Sequence, residues 1–472
     1  MTSAVGLRSE RGPVLLSLMV TTGLVAIDAT ILATAVPTIV SELGGLSQFP
    51  WLFSIYLLTQ AVTVPIYAKL SDIFGRKPII LIGIGLFLLG SILCGLAWSM
   101  PALILFRAIQ GLGAGAVQPM AITIAGDIYT VAERAKVQGY IASVWAVASV
   151  AGPALGGLFA QLDIWRWVFF VNVPLCLLAG WMLVRHLHEN VERRNHTIDY
   201  PGAILLTASL SLLILSVLEG GQAWAWNSWQ SFVGFGVGGV LLVAFVLVER
   251  RAVEPIVPLW AFTRRLLLTT TIIGLGVGAL ITGITSFVPI YLQGALGVAP
   301  LIAAIGLATL TLGWPLAASF SGRLYMPLGF RTTARIGGAI TVVGAAILAG
   351  FAWYPSVVTV AIAGFIIGLG LGLVATSSLI SAQSSVEWNE RGVVTGMQMF
   401  SRSVGSAVGV AIFGAIANSY FGDAESPLPE DITAGSAAVF LCVLAVTVVI
   451  LLVAFAMPRT PAAVEVAATP GD

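Results

Sequence analysis

The sequence predicts an all-α integral membrane protein that crosses the bilayer fourteen times, and three observations carry the expectation. Of its 472 residues 58% are hydrophobic and 9% charged, with a mean hydropathy of +1.00, whereas soluble domains carry about a quarter charged residues. The apolar residues fall into runs of about 20 or more, the length that spans a hydrocarbon core. Basic residues gather in alternate connections, as they do when Lys and Arg are retained on the cytoplasmic side.

Taken in order, the expected spans run at 13–40, 48–70, 78–98, 101–127, 136–160, 167–185, 200–219, 230–249, 267–293, 300–322, 334–352, 356–383, 393–418 and 435–457. The first follows Arg8 and Arg11, yet it outlasts the short apolar region of a secretory leader and contains Asp28, so it is expected to stay as an uncleaved span. Nineteen of the 22 Lys and Arg residues lie in the N-terminal tail, in the even-to-odd connections or in the C-terminal tail; Arg166 falls on the other side, and Arg107 and Arg402 fall inside spans. That bias places both termini in the cytoplasm and the acidic cluster Asp423, Glu425, Glu430 and Asp431 in the last external loop. The net charge of +1 gives no reason to expect a nucleic-acid partner. Cys94, Cys176 and Cys442 sit within apolar runs at spacings that suit neither a disulfide framework nor a metal site.

The connection between spans 2 and 3 reads A-K-L-S-D-I-F-G-R-K over 68–77, and a second copy, G-R-L-Y-M-P-L-G-F-R over 322–331, follows span 10. Gly322, Leu324, Gly329 and Arg331 repeat the spacing of Ala68, Leu70, Gly75 and Lys77, with Met326 where the first copy has Asp72. The repeat divides the chain into a six-span bundle at 1–190, two extra spans at 191–265, a second six-span bundle at 266–458 and a tail at 459–472. The extra spans are expected to pack beside the bundles.

Charges inside spans are expensive and usually serve an ion or substrate path. Asp28 lies about 15 residues past Pro13, roughly 22 Å at helical rise, and is the candidate proton carrier; the other reading is a structural hydrogen-bonded acid. Arg107 is its natural partner, because a buried guanidinium needs a counter-charge, although it is also suited to anchoring on backbone carbonyls. Protonation of Asp28 would then release Arg107 and bias two global states. At the other end, Asp127 is placed to reach Arg76 and, with Asp72 and Lys77, to close a gating relay, or else is an ordinary interfacial acid. Gly152, Pro153, Gly156 and Gly157 in span 5 allow close helix approach and a kink. Arg402 has no acid in spans 9 to 12 to pair with and suits either an anionic substrate group or backbone carbonyls. Gln60, Trp145, Trp314, Gln398, Phe400 and Arg402 are the pocket candidates, since methionine and aromatic surroundings adapt to varied apolar ligands; plain packing is their alternative.

Several of these stretches resemble a known family. Leu70, Asp72, Gly75, Arg76 and Lys77 match the loop motif of the major facilitator superfamily, with Ala68 and Ile73 departing from it, and Arg107, Gln110, Gly111 and Gly113 match its fourth-span motif. Asp28, Thr30, Ala35 and Pro37 are similar to the first-span motif of the fourteen-span drug:proton antiporters, and Gly152, Pro153, Gly156 and Gly157 to the span-5 motif associated with antiport. The stretches 165–174, 287–293 and 397–409 also resemble that family, and the aromatics of the first suit the outer membrane interface.

The resemblance implies the major facilitator fold, with parallel halves handling substrate near the midplane. It further implies a proton-coupled multidrug efflux antiporter that exports amphipathic or lipophilic compounds by alternating access. Such a protein would sit as a monomer in a bacterial plasma membrane and draw on the proton gradient without a cofactor. A dedicated exporter of a metabolite, lipid or siderophore is the alternative, and a non-transporting membrane sensor the second. No G-x-x-x-x-G-K-[ST] phosphate loop, H-E-x-x-H helix or G-x-S-x-G elbow occurs, so neither ATP-driven pumping nor hydrolysis has visible machinery.

The orientation is open to a direct check. A fluorescent protein fused after Asp472 should fluoresce in bacteria while alkaline phosphatase fused there stays inactive; the opposite pair of results would invert the topology.

Overall fold

The computed structural model describes residues 6–44, 48, 51–189, 199–220, 224–252, 255, 257, 259–298, 300–421 and 428–459. Asp423 and Glu425 of the acidic cluster, and the 190/191 boundary, lie outside the described residues.

The first half comprises α1 (Gly12–Leu43), α2 (Trp51–Phe74), α3 (Arg76–Gly95), α4 (Met100–Ile128), α5 (Val131–Gln161), the short α6 (Trp167–Phe170) and α7 (Asn172–His186). Two helices follow, α8 (Tyr200–Glu219) and α9 (Trp229–Glu249). The second half comprises the short α10 (Trp260–Thr263), α11 (Arg265–Leu296), α12 (Pro300–Leu328), α13 (Phe330–Gly350), α14 (Val357–Ser384), a 3-10 turn at Trp388–Glu390, α15 (Arg391–Phe421) and α16 (Pro429–Ala456). Thirteen segments among the described residues are long and apolar enough to cross a membrane. Helix α12 has 29 residues but is not among them.

Polar side chains set the helix starts. Ser99, Asp199, Ser228 and Ser356 each accept the backbone amide three residues on, and Thr130 with Glu133 forms a capping box; each satisfies a donor that the first turn would leave orphaned.

The two halves repeat one packing scheme. Contacts of α1 with α5 and α7, and of α4 with α2 and α3, recur as α11 with α15 and α16, and α14 with α12 and α13. Glycines recur with it. Gly83 and Gly90 lie where α3 meets α4, Gly337 and Gly344 where α13 meets α14, and an added Cβ at any of them would collide with the neighbouring helix. Gly75 and Gly329 hold the two copies of the loop motif in the left-handed region, at φ 95 and 80 degrees. Each donates its amide to a carbonyl of the preceding helix, Ser71 at 3.0 Å and Tyr325 at 2.9 Å. The halves meet reciprocally, α2 against α15 and α12 against α5. The α8–α9 pair lies on α2 and α15, where Leu206, Leu210, Ile214 and Phe245 pack with Leu58, Ala61 and Val62.

Two aromatics, Trp165 and Phe169, depart from the expected interfacial belt. Trp165 is wholly buried, and its indole N–H donates to Glu42 Oε2 at 2.5 Å while Arg166 pairs with Glu42 Oε1 at 2.7 Å. A buried indole needs an acceptor, and the end of α1 supplies it. Trp165 therefore clips α1 to the α5–α6 turn, and Trp167, 54% exposed, is the residue free to face lipid.

Because Gly75 sits in a positive-φ conformation, φ 95 and ψ 160 degrees, that costs side-chain-bearing residues about 1–3 kcal/mol, Gly75→Ala should lower the apparent melting temperature in detergent. Gly85→Ala, where a Cβ meets nothing within 4 Å, should leave it level or higher. Equal effects of the two would remove the conformational account.

Candidate functional site

The deepest polar cluster is built by five helices around Asp28. Its Oδ2 accepts from Arg107 Nη1 at 2.7 Å, and its Oδ1 accepts from Gln110 Nε2 at 2.8 Å and Asn172 Nδ2 at 3.0 Å. Gln110 also accepts from Arg107 Nη1 at 2.6 Å and donates to Ser91 at 2.9 Å. Arg107 Nε donates to the Leu52 carbonyl at 3.1 Å, and the guanidinium lies 4.2 Å from the centre of the Tyr56 ring. Asp28, Ser91, Gln110 and Asn172 are completely buried and Arg107 is 2% exposed. Two charges taken from water need this density of partners, since the desolvation penalty is offset only when the remaining lone pairs and protons are also bonded.

Span 5 holds the acid's helix in place. Thr30, two residues past Asp28, donates to the Ala148 carbonyl at 3.0 Å, and Thr34 donates to the Pro153 carbonyl at 3.4 Å. A Cβ on Gly152 would strike Thr30, and one on Gly156 would strike the Ile31 carbonyl and Thr34. Gly157 has nothing within 4 Å of such a Cβ, so it takes no part in the close approach; one residue along a helix turns about 100 degrees away from the contact.

A cavity of about 160 Å3 lies between the first half and α15. Val25 and Ala29 of α1, Tyr56 and Gln60 of α2, Gln118 of α4, and Trp145 of α5 line one side, while Met399, Arg402, Ser403 and Ser406 of α15 line the other. Tyr56 belongs to both places, wall of the cavity and floor beneath Arg107. The volume is below the roughly 300–1,000 Å3 of drug-sized sites.

At the basic end of the molecule the two halves are tied together. Asp72 Oδ1 pairs with Arg76 at 2.8 Å, and Arg76 Nε with Asp127 Oδ2 at 3.0 Å. Asp72 also accepts the amides of Gly392 at 3.0 Å and Val393 at 2.8 Å, in the first turn of α15, a position where unpaired N–H groups and the helix dipole favour an anion. Arg76 donates to the Trp388 carbonyl at 2.7 Å and sits 4.0 Å from that ring's centre. Arg391 stands 3.5 Å from Asp127 Oδ1. A Cβ at Gly392 would run into the Asp72 carboxylate.

Several expected placements are corrected. Lys77 is outside the relay: its ammonium donates to the Val184 and Leu187 carbonyls at 2.9 and 2.6 Å, closing the end of α7. Adjacent helical residues face different directions, so Arg76 and Lys77 cannot both enter one latch. Of the pocket candidates, Gln60, Trp145 and Arg402 line the cavity; Trp314 stands behind Arg402, 5.1 Å from its guanidinium. Phe400 packs instead against the α2 and α8 cluster, and the Gln398 side chain lies near Gly274 of α11. The spacing 399, 402, 403, 406 marks one helical face and already sets residues 398 and 400 on others. Tyr56, Ser91 and Asn172 at the acid, and Trp388, Arg391 and Gly392 at the latch, are functional candidates that motif matching passed over. The signal for Asn172 was an amide inside an apolar run.

Comparison with known proteins gives a consistent context. Residues 18–410 match the family model of the Major Facilitator Superfamily. The chain is 33% identical over 418 residues to the multidrug transporter protein MdtP of Bacillus subtilis, covering 89% of this chain and 77% of that one. It is 36% identical over 398 residues to multidrug resistance protein 3 of the same organism, covering 84% and 77%. Its fold resembles the human organic anion transporter MFSD10 (TETRAN), with a TM-score of 0.68 at 15% identity over 94% of this chain and 99% of that one.

Replacing Asp72 with Asn removes a charge from the latch while keeping its shape. The half-to-half tie should loosen, and a cysteine introduced at Ser384, whose hydroxyl accepts from Arg134 of the other half at 3.0 Å, should be alkylated several-fold faster. An unchanged rate would show that the latch does not hold this end closed.

Proposed function

The chain belongs to the Major Facilitator Superfamily, whose members are transporters rather than enzymes, and on that premise we propose that it is a proton-coupled antiporter exporting amphipathic or lipophilic compounds. The observation that carries the reading is the buried Asp28–Arg107 pair, sharing the Tyr56 side chain with the cavity. A proton reaching Asp28 cancels the charge that holds Arg107. The guanidinium then needs new acceptors, and the Tyr56 ring against it is also a wall of the substrate space. Filling the cavity and protonating the acid thus act on one side chain, which is the differential contact that coupling requires.

Alternating access supplies the rest of the cycle. With fourteen spans, both termini in the cytoplasm and the chain in a bacterial plasma membrane, the Asp72–Arg76–Asp127 network is the inner gate in its closed position. In that position substrate leaves outward and a proton enters. Opening breaks the contacts of Asp72 with Gly392 and Val393, lets the proton go inward and admits the next substrate. The names of the two Bacillus relatives support export of drug-like compounds.

The test is substrate-driven proton movement in reconstituted vesicles carrying wild type or Asp28→Asn. Wild type should release protons on addition of a transported compound, and the variant, verified as folded by size-exclusion chromatography, should fall to background. Leaving Arg107 without its carboxylate costs about 3–5 kcal/mol, so some loss of thermal stability is expected alongside. Full coupled export by folded Asp28→Asn would end the proposal.

A further inference from the structure

We infer that the cavity selects compounds with an apolar or aromatic body and one anionic group, with Arg402 as the partner of that group; this substrate class rests on the efflux reading above. Arg402 is the one formally charged residue among those lining the cavity. Among the described residues no carboxylate pairs with it. Its guanidinium neighbours the Trp314 ring, which supports one face and supplies no negative charge. Arg107 and Arg76, both buried, each hold carboxylates, so the fold compensates its other charges at this depth, whereas Arg402 stands partly exposed on the cavity. An intramembrane cation left without a counter-charge is costly unless an anion or water comes to it.

The Arg402 guanidinium in the cavity wall suits the oxygens of a carboxylate or sulfonate, and bonds to charged groups are the strong ones. Trp145, Met399 and Leu57 supply the apolar surface. Asp28 offers no competing attraction to a cationic compound, because both its oxygens are already held by Arg107, Gln110 and Asn172. A lipophilic cation would therefore meet an unopposed like charge.

The experiment uses the full chain in zwitterionic nanodiscs and two probes with one skeleton, pyrenebutyrate and 4-(1-pyrenyl)butyltrimethylammonium, read by quenching of tryptophan emission. Wild type should bind the anion at least about tenfold more tightly than the cation, the scale expected of one hydrogen-bonded charge pair. Arg402→Ala should abolish that preference and Arg402→Lys should keep most of it. Gln60→Glu, which adds an acid to the facing wall of the cavity, should shift the preference toward the cation and serves if the alanine variant does not fold. Equal or tighter binding of the cation by wild type, or a preference unmoved by these substitutions, overturns the inference. Vesicle assays with the same probes separate the two readings. Arg402-dependent binding without proton movement leaves the site standing and removes the efflux reading. Coupled export of the anion that survives in Arg402→Ala keeps efflux and removes the assignment of Arg402.

Discussion

A carboxylate and a guanidinium locked together away from water impose the arrangement of the first half. Asp28 and Arg107 touch at 2.7 Å with almost no solvent exposure, and the desolvation of such a pair is offset only where further hydrogen bonds hold its carboxylate and guanidinium. That demand draws in Gln110 from the same helix as Arg107, Ser91 from α3, Asn172 from α7 and a carbonyl from α2. The glycines of α5 then let α1, which carries the acid, seat against its neighbour.

The latch is built differently. At this end the halves meet through charges and helix-end amides beside a small apolar cluster of Val131, Ala135, Tyr325, Phe330 and Ile380. Asp72 makes both polar contacts, pairing with Arg76 of its own half and with the amides of α15 in the other. In the second copy of the motif Met326 replaces that acid and is 44% exposed. The repeat thus preserves the backbone device, a left-handed glycine between two helices, while the electrostatic device exists once.

Much of this was readable in the chain because charge is scarce in it. Asp28, Arg107, Asp72, Arg76 and Asp127 stand out against apolar surroundings, and the second copy of the loop motif is visible as an internal repeat. What stayed hidden was the uncharged polar shell. Ser91, Asn172 and Tyr56 are ordinary residues for a membrane span, and only the approach of five helices makes them neighbours of one carboxylate. Motif matching also counted Lys77 with Arg76, and Phe400 with Arg402, where helical phase separates them. Trp165 passed as an interfacial residue because the acceptor that buries it, Glu42, lies far away in sequence.

The α8–α9 pair gives the molecule two unlike flanks. Each half presents one seam to the other, α2 with α15 and α12 with α5, and the pair covers the first while resting on both of its helices. Those two helices also form much of the cavity wall. A compound dissolved in the bilayer and moving sideways toward the cavity therefore finds one flank closed by two further layers of protein. Among the described residues the α5–α12 seam has no such covering pair, and a nearly symmetric pair of halves acquires a front and a back.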